Sequence, residues 1–195
     1  LFGPAPHKAA GVRAINTLSH ARREVVALPQ GIEGGQQSAD GQALGIVAAP
    51  PCGWAVAVPE RASDQPVTTR VTRNGLVLEN AFVRATFQRN GCLVGLRDKR
   101  AAREIIPPKS QGNRFVLYDD SPLNWDAWDI EVYHTEKFEL VGPATSFRLI
   151  ESGPLRAMIE VEYKIGHGSR LRQRIALTAL SPRLDFFCTA DWSEK

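Results

Sequence analysis

The chain has 195 residues, with 24 Lys and Arg against 21 Asp and Glu, and 43% of it is hydrophobic. That length can hold one large domain or two small ones around a proper core. A net charge of +3 gives no pull toward nucleic acid or a membrane surface, and no apolar run is long enough to span a bilayer.

The opening Leu1-Phe2-Gly3-Pro4 has no initiating Met, basic region or apolar core, so it reads as the cut end of a longer polypeptide. Short strands are predicted at 12–16, 24–28, 44–47 and 54–58. Between the second and third, residues 31–41 are rich in Gly, Gln and Ser and read as an exposed loop. Residues 60–73 are polar and contain Pro, which suits a linker or an exposed edge. Then period two takes over. Val83, Ala85 and Phe87 alternate with Arg84, Thr86 and Gln88; Asn90-Gly91 supplies a hairpin turn, and the return segment 92–96 is apolar. Residues 101–106 are predicted to make a short turn of helix before Pro107-Pro108. Leu155, Ala157, Ile159, Val161 and Tyr163 share one face, opposed by Arg156, Glu160, Glu162 and Lys164. Turns at 166–169 and 181–183 set off two more apolar faces, Leu171 to Ala179 and Leu184 to Trp192. The three long strands form an antiparallel meander with one buried and one wet face. No segment has helical spacing over three turns, so the chain is expected to be all-β.

Few residues carry obvious chemistry. Cys52, Cys92 and Cys188 are odd in number and sit in apolar contexts such as Phe186-Phe187-Cys188, which predicts buried free thiols in a reducing compartment. No Asn-X-Ser/Thr sequon occurs. The four His, at 7, 20, 134 and 167, have no partner at metal-ligand spacing, and a metal site is not expected in this chain. His134 is assigned a structural role, and His20 and His167 surface positions. The Gly-rich loop lacks the strand-to-helix context of a phosphate cradle, and no nucleophile elbow or dinucleotide fingerprint appears.

The most informative stretch runs from Asn113 to His134. It holds Trp125, Asp126, Trp128 and Asp129 within five residues, directly after the acidic turn Asp119-Asp120-Ser121-Pro122. Indole rings offer stacking faces and carboxylates accept from hydroxyls, a composition suited to a sugar site; the same residues also suit an aromatic corner with Asp-capped turns. Paired carboxylates invite a glycosidase reading, in which an acid/base and a nucleophile flank the substrate. Asp126 with Asp129, or Asp119 with Asp120, are neighbours on one backbone segment and are not assigned those roles. No catalytic residue is expected here.

Order and spacing add more than composition does. Leu78-Glu79-Asn80, read as opening a strand, is followed by Asn90-Gly91, Asp98-Lys99, Arg103-Glu104 and Gly112-Asn113. Asp119-Asp120 with Pro122, the segment 125–130, Gly153-Pro154-Leu155-Arg156-Ala157 and the closing Asp191-Trp192-Ser193-Glu194-Lys195 follow in turn. With Asn16-Thr17-Leu18-Ser19 and Arg23-Glu24-Val25 near the start, this pattern resembles the C-terminal β-domains of family-38 glycoside hydrolases, the retaining α-mannosidases, and most closely their intracellular and bacterial branch.

The resemblance implies a small β-sandwich over residues 1–62, a linker at 63–73, and over 74–195 the first part of a large, antiparallel, mutarotase-like super-sandwich. It implies a parent enzyme acting on terminal α-linked mannose, in the cytoplasm. The nucleophile and a divalent metal, usually zinc, would belong to an upstream catalytic domain. Trp125, Asp126, Trp128 and Asp129 are the candidates for a substrate-proximal or domain-interface role. The truncated sandwich edge is a candidate for self-association. The rival expectation is a stand-alone carbohydrate-binding or scaffold module of the same fold. An aldose mutarotase is disfavoured, because His134 with Glu131 is a poor substitute for its convergent His and Glu base.

Overall fold

The computed structural model describes residues 12–125, 128 and 130–193. Its first strands are β1 (Val12–Asn16), β2 (Arg22–Ala27), β3 (Gln36–Gln37), β4 (Ala43–Ala49) and β5 (Gly53–Ala57). β1 pairs antiparallel with β5, and β4 lies between β2 and β3 in a second antiparallel sheet. A five-stranded sheet follows, from β6 (Thr68–Thr72), β7 (Gly75–Glu79), β8 (Val83–Gln88), β9 (Leu93–Asp98) and β10 (Arg103–Glu104), laid side by side in chain order. β11 (Val116–Tyr118) and β12 (Phe138–Leu140) make a two-stranded ribbon, with a 3-10 turn at Val132–Glu136 between them. The last sheet is the meander β13 (Ser146–Ser152), β14 (Arg156–Ile165), β15 (Ser169–Thr178) and β16 (Leu184–Asp191). The described residues are thus nearly all β.

The period-two pattern explains the core. Val83, Ala85 and Phe87 of β8, with Leu76 and Leu78 of β7, project from one face of the five-stranded sheet. They meet Ala157, Ile159, Val161 and Tyr163 of β14 and Leu171, Ile175 and Leu177 of β15. All are buried, and the intervening Arg84, Lys164, Arg170 and Arg172 stay in solvent. Burying each large aliphatic side chain stabilises by about 1.5–3 kcal/mol, so this face-to-face packing dominates the fold. The Asn90-Gly91 turn is a close fit: Gly91 has φ +88°, and a Cβ there would lie 1.8 Å from the Tyr163 hydroxyl oxygen. That hydroxyl is buried with no hydrogen-bond partner among the described residues, and burial pushes its pKa well above the ordinary phenol value.

The outer face of the meander is not uniformly wet. The Gly-rich segment read as an exposed loop contains β3, and it crosses the outer face of β14. Gln36 Nε2 donates to Arg156 O at 2.7 Å, and its Oε1 accepts from the N–H groups of Leu155 and Arg156, both at 2.9 Å. The Ala39 N–H donates to Glu151 Oε1 at 2.7 Å, and the Arg174 guanidinium reaches Asp40 at 3.0 Å. Glu160, expected on the wet face, is consequently buried. Burial raises its pKa, but the guanidinium groups of Arg174 and Arg148, at 3.0 and 2.5 Å, more than reverse this and hold the carboxyl below its ordinary value.

Several expectations are corrected. Residues 101–106 form a hairpin turn and β10 instead of a helical turn, because the chain folds back to pair Arg103 with Asp98 and Glu104 with Arg97. Leu78-Glu79-Asn80 closes β7 instead of opening a strand: Asn80 turns the chain, its Oδ1 accepting from the N–H groups of Phe82 and Val83 at 2.8 and 2.9 Å. Of the segment read as a linker or an exposed edge, 68–72 form β6, an outer strand of its sheet, which matches the second of those readings. The thiols are free, but Cys52 and Cys188 are exposed and Cys92 is partly so. Cys52 sits in a turn with φ +42°, and Cys188 lies on β16, the outer strand of the meander. The third apolar face is therefore uncovered: Phe186, opposite the buried Ile175, is 42% exposed.

Candidate functional site

The ribbon is held by pairing of Tyr118 with Phe138 and of Val116 with Leu140. Its connecting segment leaves β11 through Asp119-Asp120-Ser121-Pro122 and returns through the 3-10 turn. His134 has the structural role expected of it: its Nδ1 lies 2.8 Å from Glu131 O, and its ring meets Tyr118 edge-on at 5.0 Å.

Of the four candidate site residues, Asp126 and Asp129 lie outside the described residues. Trp125 and Trp128 do not form a buried corner. Their rings meet edge-on at 5.9 Å, and the Trp128 N–H donates to Trp125 O at 2.9 Å, yet they are 66% and 80% exposed. Trp125 also has φ +60°, a left-handed conformation that costs a bulky residue about 1–2 kcal/mol. Leu123, Ile130, Val132 and Tyr133, close to them in sequence, are also more than half exposed. A row of large apolar side chains in water is the signature of an interaction surface.

Beside this loop lies a cleft of about 640 Å³, between the ribbon and the turn joining β14 to β15. It is lined by Tyr118, Asp119, Asp120, Ser121, Lys137, Glu139, His167 and Trp192, among others. Asp119 Oδ2 lies 3.5 Å from Lys137 Nζ, and Asp119 Oδ1 accepts from the Ser121 hydroxyl at 3.2 Å. Trp125 and Trp128 are not part of its lining. Sequence reading singled out Asp119, Asp120 and Trp192 but missed Tyr118, Lys137 and Glu139, and it left His167 on a plain surface. Tyr118 adjoins the turn at 119–122 and His167 lies in the turn at 166–169, whereas Lys137 and Glu139 come to the cleft only through the pairing of β12 with β11.

Among the described residues, no group of three or more His, Cys, Asp or Glu could hold a metal ion. A metal therefore does not fit the described part of this chain, and no step is assigned to one here.

The architecture is an antiparallel sandwich with an exposed aromatic loop and an acid-lined cleft at one end. Residues 78–195 match the model of the glycosyl hydrolases family 38 C-terminal domain, and the chain belongs to that family. It is 33% identical over 192 residues to alpha-mannosidase 2C1 of Mus musculus and 34% identical over 192 residues to that of Homo sapiens. Both alignments take in 94% of this chain and 18% of the relative. Alpha-mannosidase G of Dictyostelium discoideum is 32% identical over 177 residues, covering 82% of this chain and 16% of the relative. The chain thus spans less than a fifth of the length of these relatives.

Proposed function

We propose that this chain is a non-catalytic β-rich part of a retaining α-mannosidase that hydrolyses terminal α-linked mannose. The parent enzyme carries its nucleophile and a divalent metal, zinc, in an upstream catalytic domain, and works in the cytoplasm. In this reading residues 1–62 form a small β-sandwich unit, 63–73 lead from it with β6 already joined to the next sheet, and 74–195 are part of a larger sandwich. The loop at 125–129 lies against the catalytic domain and lines its sugar pocket. The observation that carries the reading is the exposed row around Trp125 and Trp128, on a chain whose relatives are named α-mannosidases. Large apolar side chains left in water need a complementary surface, and loops on a rigid β scaffold are where binding residues sit.

Kinetics test it. In the parent enzyme Asp126→Asn, Asp129→Asn and Trp128→Ala are expected to lower kcat/KM by about threefold or more, one lost hydrogen bond or aromatic contact each. In the isolated chain Trp128→Ala changes stability by no more than about 0.5 kcal/mol, as for other exposed sites. The isolated chain does not turn over an aryl α-mannoside with zinc. Wild-type kinetics in all three parent variants, or turnover by the isolated chain, contradicts the assignment.

The outer strand β16 supports a further part of the proposal. No strand pairs with its outer edge among the described residues, and Phe186 and Phe187 are exposed on its two faces. Such an edge pairs readily with another chain, so the isolated chain self-associates. Sedimentation should show dimers or larger species that Phe187→Lys disperses; a clean wild-type monomer at high concentration refutes this.

A further inference from the structure

We propose that the cleft between the β11–β12 ribbon and the β14–β15 turn binds a neutral hexopyranoside, at a site separate from the loop at 125–129. Its volume of about 640 Å³ falls within the range of roughly 300–1,000 Å³ usual for small-ligand sites.

Charge narrows the ligand. Asp119, Asp120 and Glu139 face the cleft against one ammonium, Lys137, so a phosphorylated or uronic ligand is repelled. A divalent cation is not the ligand either. Asp119 is engaged by Lys137 and Ser121, and the described residues offer no group of donors that could hold a metal. What remains is a neutral molecule rich in hydroxyl donors, which carboxylates accept well.

The aromatic walls specify the rest. Trp192 is 57% exposed but its backbone is held: Asp191 is in register with Arg170, and the Ser193 N–H donates to the buried Ser169 Oγ at 2.8 Å. The Tyr118 ring is steadied from two sides, by His134 at 5.0 Å and Phe138 at 6.0 Å. A Tyr118 ring already steadied and a Trp192 indole on an anchored backbone present exposed apolar faces, which suits the C–H face of a pyranose. The choice of a mannoside among hexopyranosides rests on the function proposed above.

Titration calorimetry of the 195-residue chain with methyl α-D-mannopyranoside and an α-linked mannobiose tests the site. Saturable binding is expected, weakened about tenfold or more by Trp192→Ala and severalfold by Asp120→Asn, and unchanged by Trp54→Ala, an exposed indole on β5 that is not part of the cleft lining. Both cleft side chains are exposed, so the variants should keep the wild-type melting temperature, and the isosteric Asp120→Asn gives a second reading if Trp192→Ala does not fold. Three results overturn the proposal: no saturable binding by the wild type, binding indifferent to both cleft variants, or mannose 6-phosphate binding as tightly as the neutral sugar. Loss of binding in Trp128→Ala alone would place the sugar at the loop and also overturn it. None of these outcomes bears on parent-enzyme kinetics, where the function proposed above is tested.

Discussion

Replacing Asn80 by Ala is expected to destabilise the chain by about 3–4 kcal/mol, a large effect for one polar side chain. Asn80 is 2% exposed and makes four hydrogen bonds. Its Oδ1 accepts from Phe82 and Val83, closing the turn between β7 and β8. Its Nδ2 donates to Thr178 O at 2.8 Å and Ser181 O at 2.7 Å, at the turn between β15 and β16. One amide therefore fastens the two sheets of the sandwich together at that end. Truncation leaves two N–H groups and two carbonyls unpaired, and each buried orphan costs about 1–3 kcal/mol before water relieves part of it.

Asn80→Asp separates the two halves of this role. The carboxylate still accepts from Phe82 and Val83, but it sets a negative oxygen against the Thr178 and Ser181 carbonyls. Lys99, whose Nζ donates to Asn80 O at 2.6 Å, offsets only part of that repulsion. The folded state then favours the protonated acid, and its folded-state pKa is expected to rise above the unfolded value. Stability from such a group is present below the unfolded pKa and lost as pH rises through the folded one, so the deficit shrinks on acidification. Denaturant unfolding of wild type, Asn80→Ala and Asn80→Asp at about pH 7 and about pH 4 decides it. A wild-type midpoint for Asn80→Ala, or an Asn80→Asp deficit that grows in acid, refutes the account.

Asn80 also shows what was legible in the sequence. It belongs to the pattern that resembles family 38, as do Asp98, Lys99, Glu104 and Asn113. Each makes hydrogen bonds at a turn or strand end. Asp98 Oδ1 accepts from Arg100 and Ala101 at 2.9 and 3.1 Å, and Glu104 accepts from the Leu96 N–H. Asn113, at φ +55°, donates to Gly91 O and exchanges two bonds with Gln173. The pattern gave the family, but the work these side chains do is to hold turns. β8, β14 and β15 were readable because one face of each is covered, and burial on one face imprints period two. β3, β10 and the ribbon were not, since two or three residues carry no period. The cleft was illegible for a related reason: its walls come from four separated stretches, at 117–121, 137–139, 166–167 and 192, and only the tertiary fold brings them together.

The docking of the Gly-rich segment on β14 yields the second large effect. Gln36→Ala removes the side chain that satisfies Arg156 O and the N–H groups of Leu155 and Arg156. The expected cost is about 2–3 kcal/mol, with the partly buried site letting water recover some of it. Gly153→Ala attacks the same contact from the other side. A Cβ at Gly153 would lie 2.2 Å from Gln36 Cδ, and the three nearest atoms all belong to Gln36. The Gln36 side chain can make room only by giving up its three bonds, so the cost should again be about 2 kcal/mol, from an apparently mild change. Because both substitutions break one contact, they should not add. In the Gln36→Ala background the three atoms nearest the added methyl are gone, and Gly153→Ala should cost much less. The double-mutant cycle is expected to give a coupling of about 1–2 kcal/mol, visible as a shared fall in Tm of about 2–8 °C at roughly 2–4 °C per kcal/mol. Additive losses would mean that Gly153→Ala acts through some other contact. A silent Gln36→Ala would mean that the three-stranded sheet is held to the sandwich by Leu44, Ile46 and Leu155, which pack together in their own buried cluster, and by the Asp40–Arg174 pair, with the amide adding nothing.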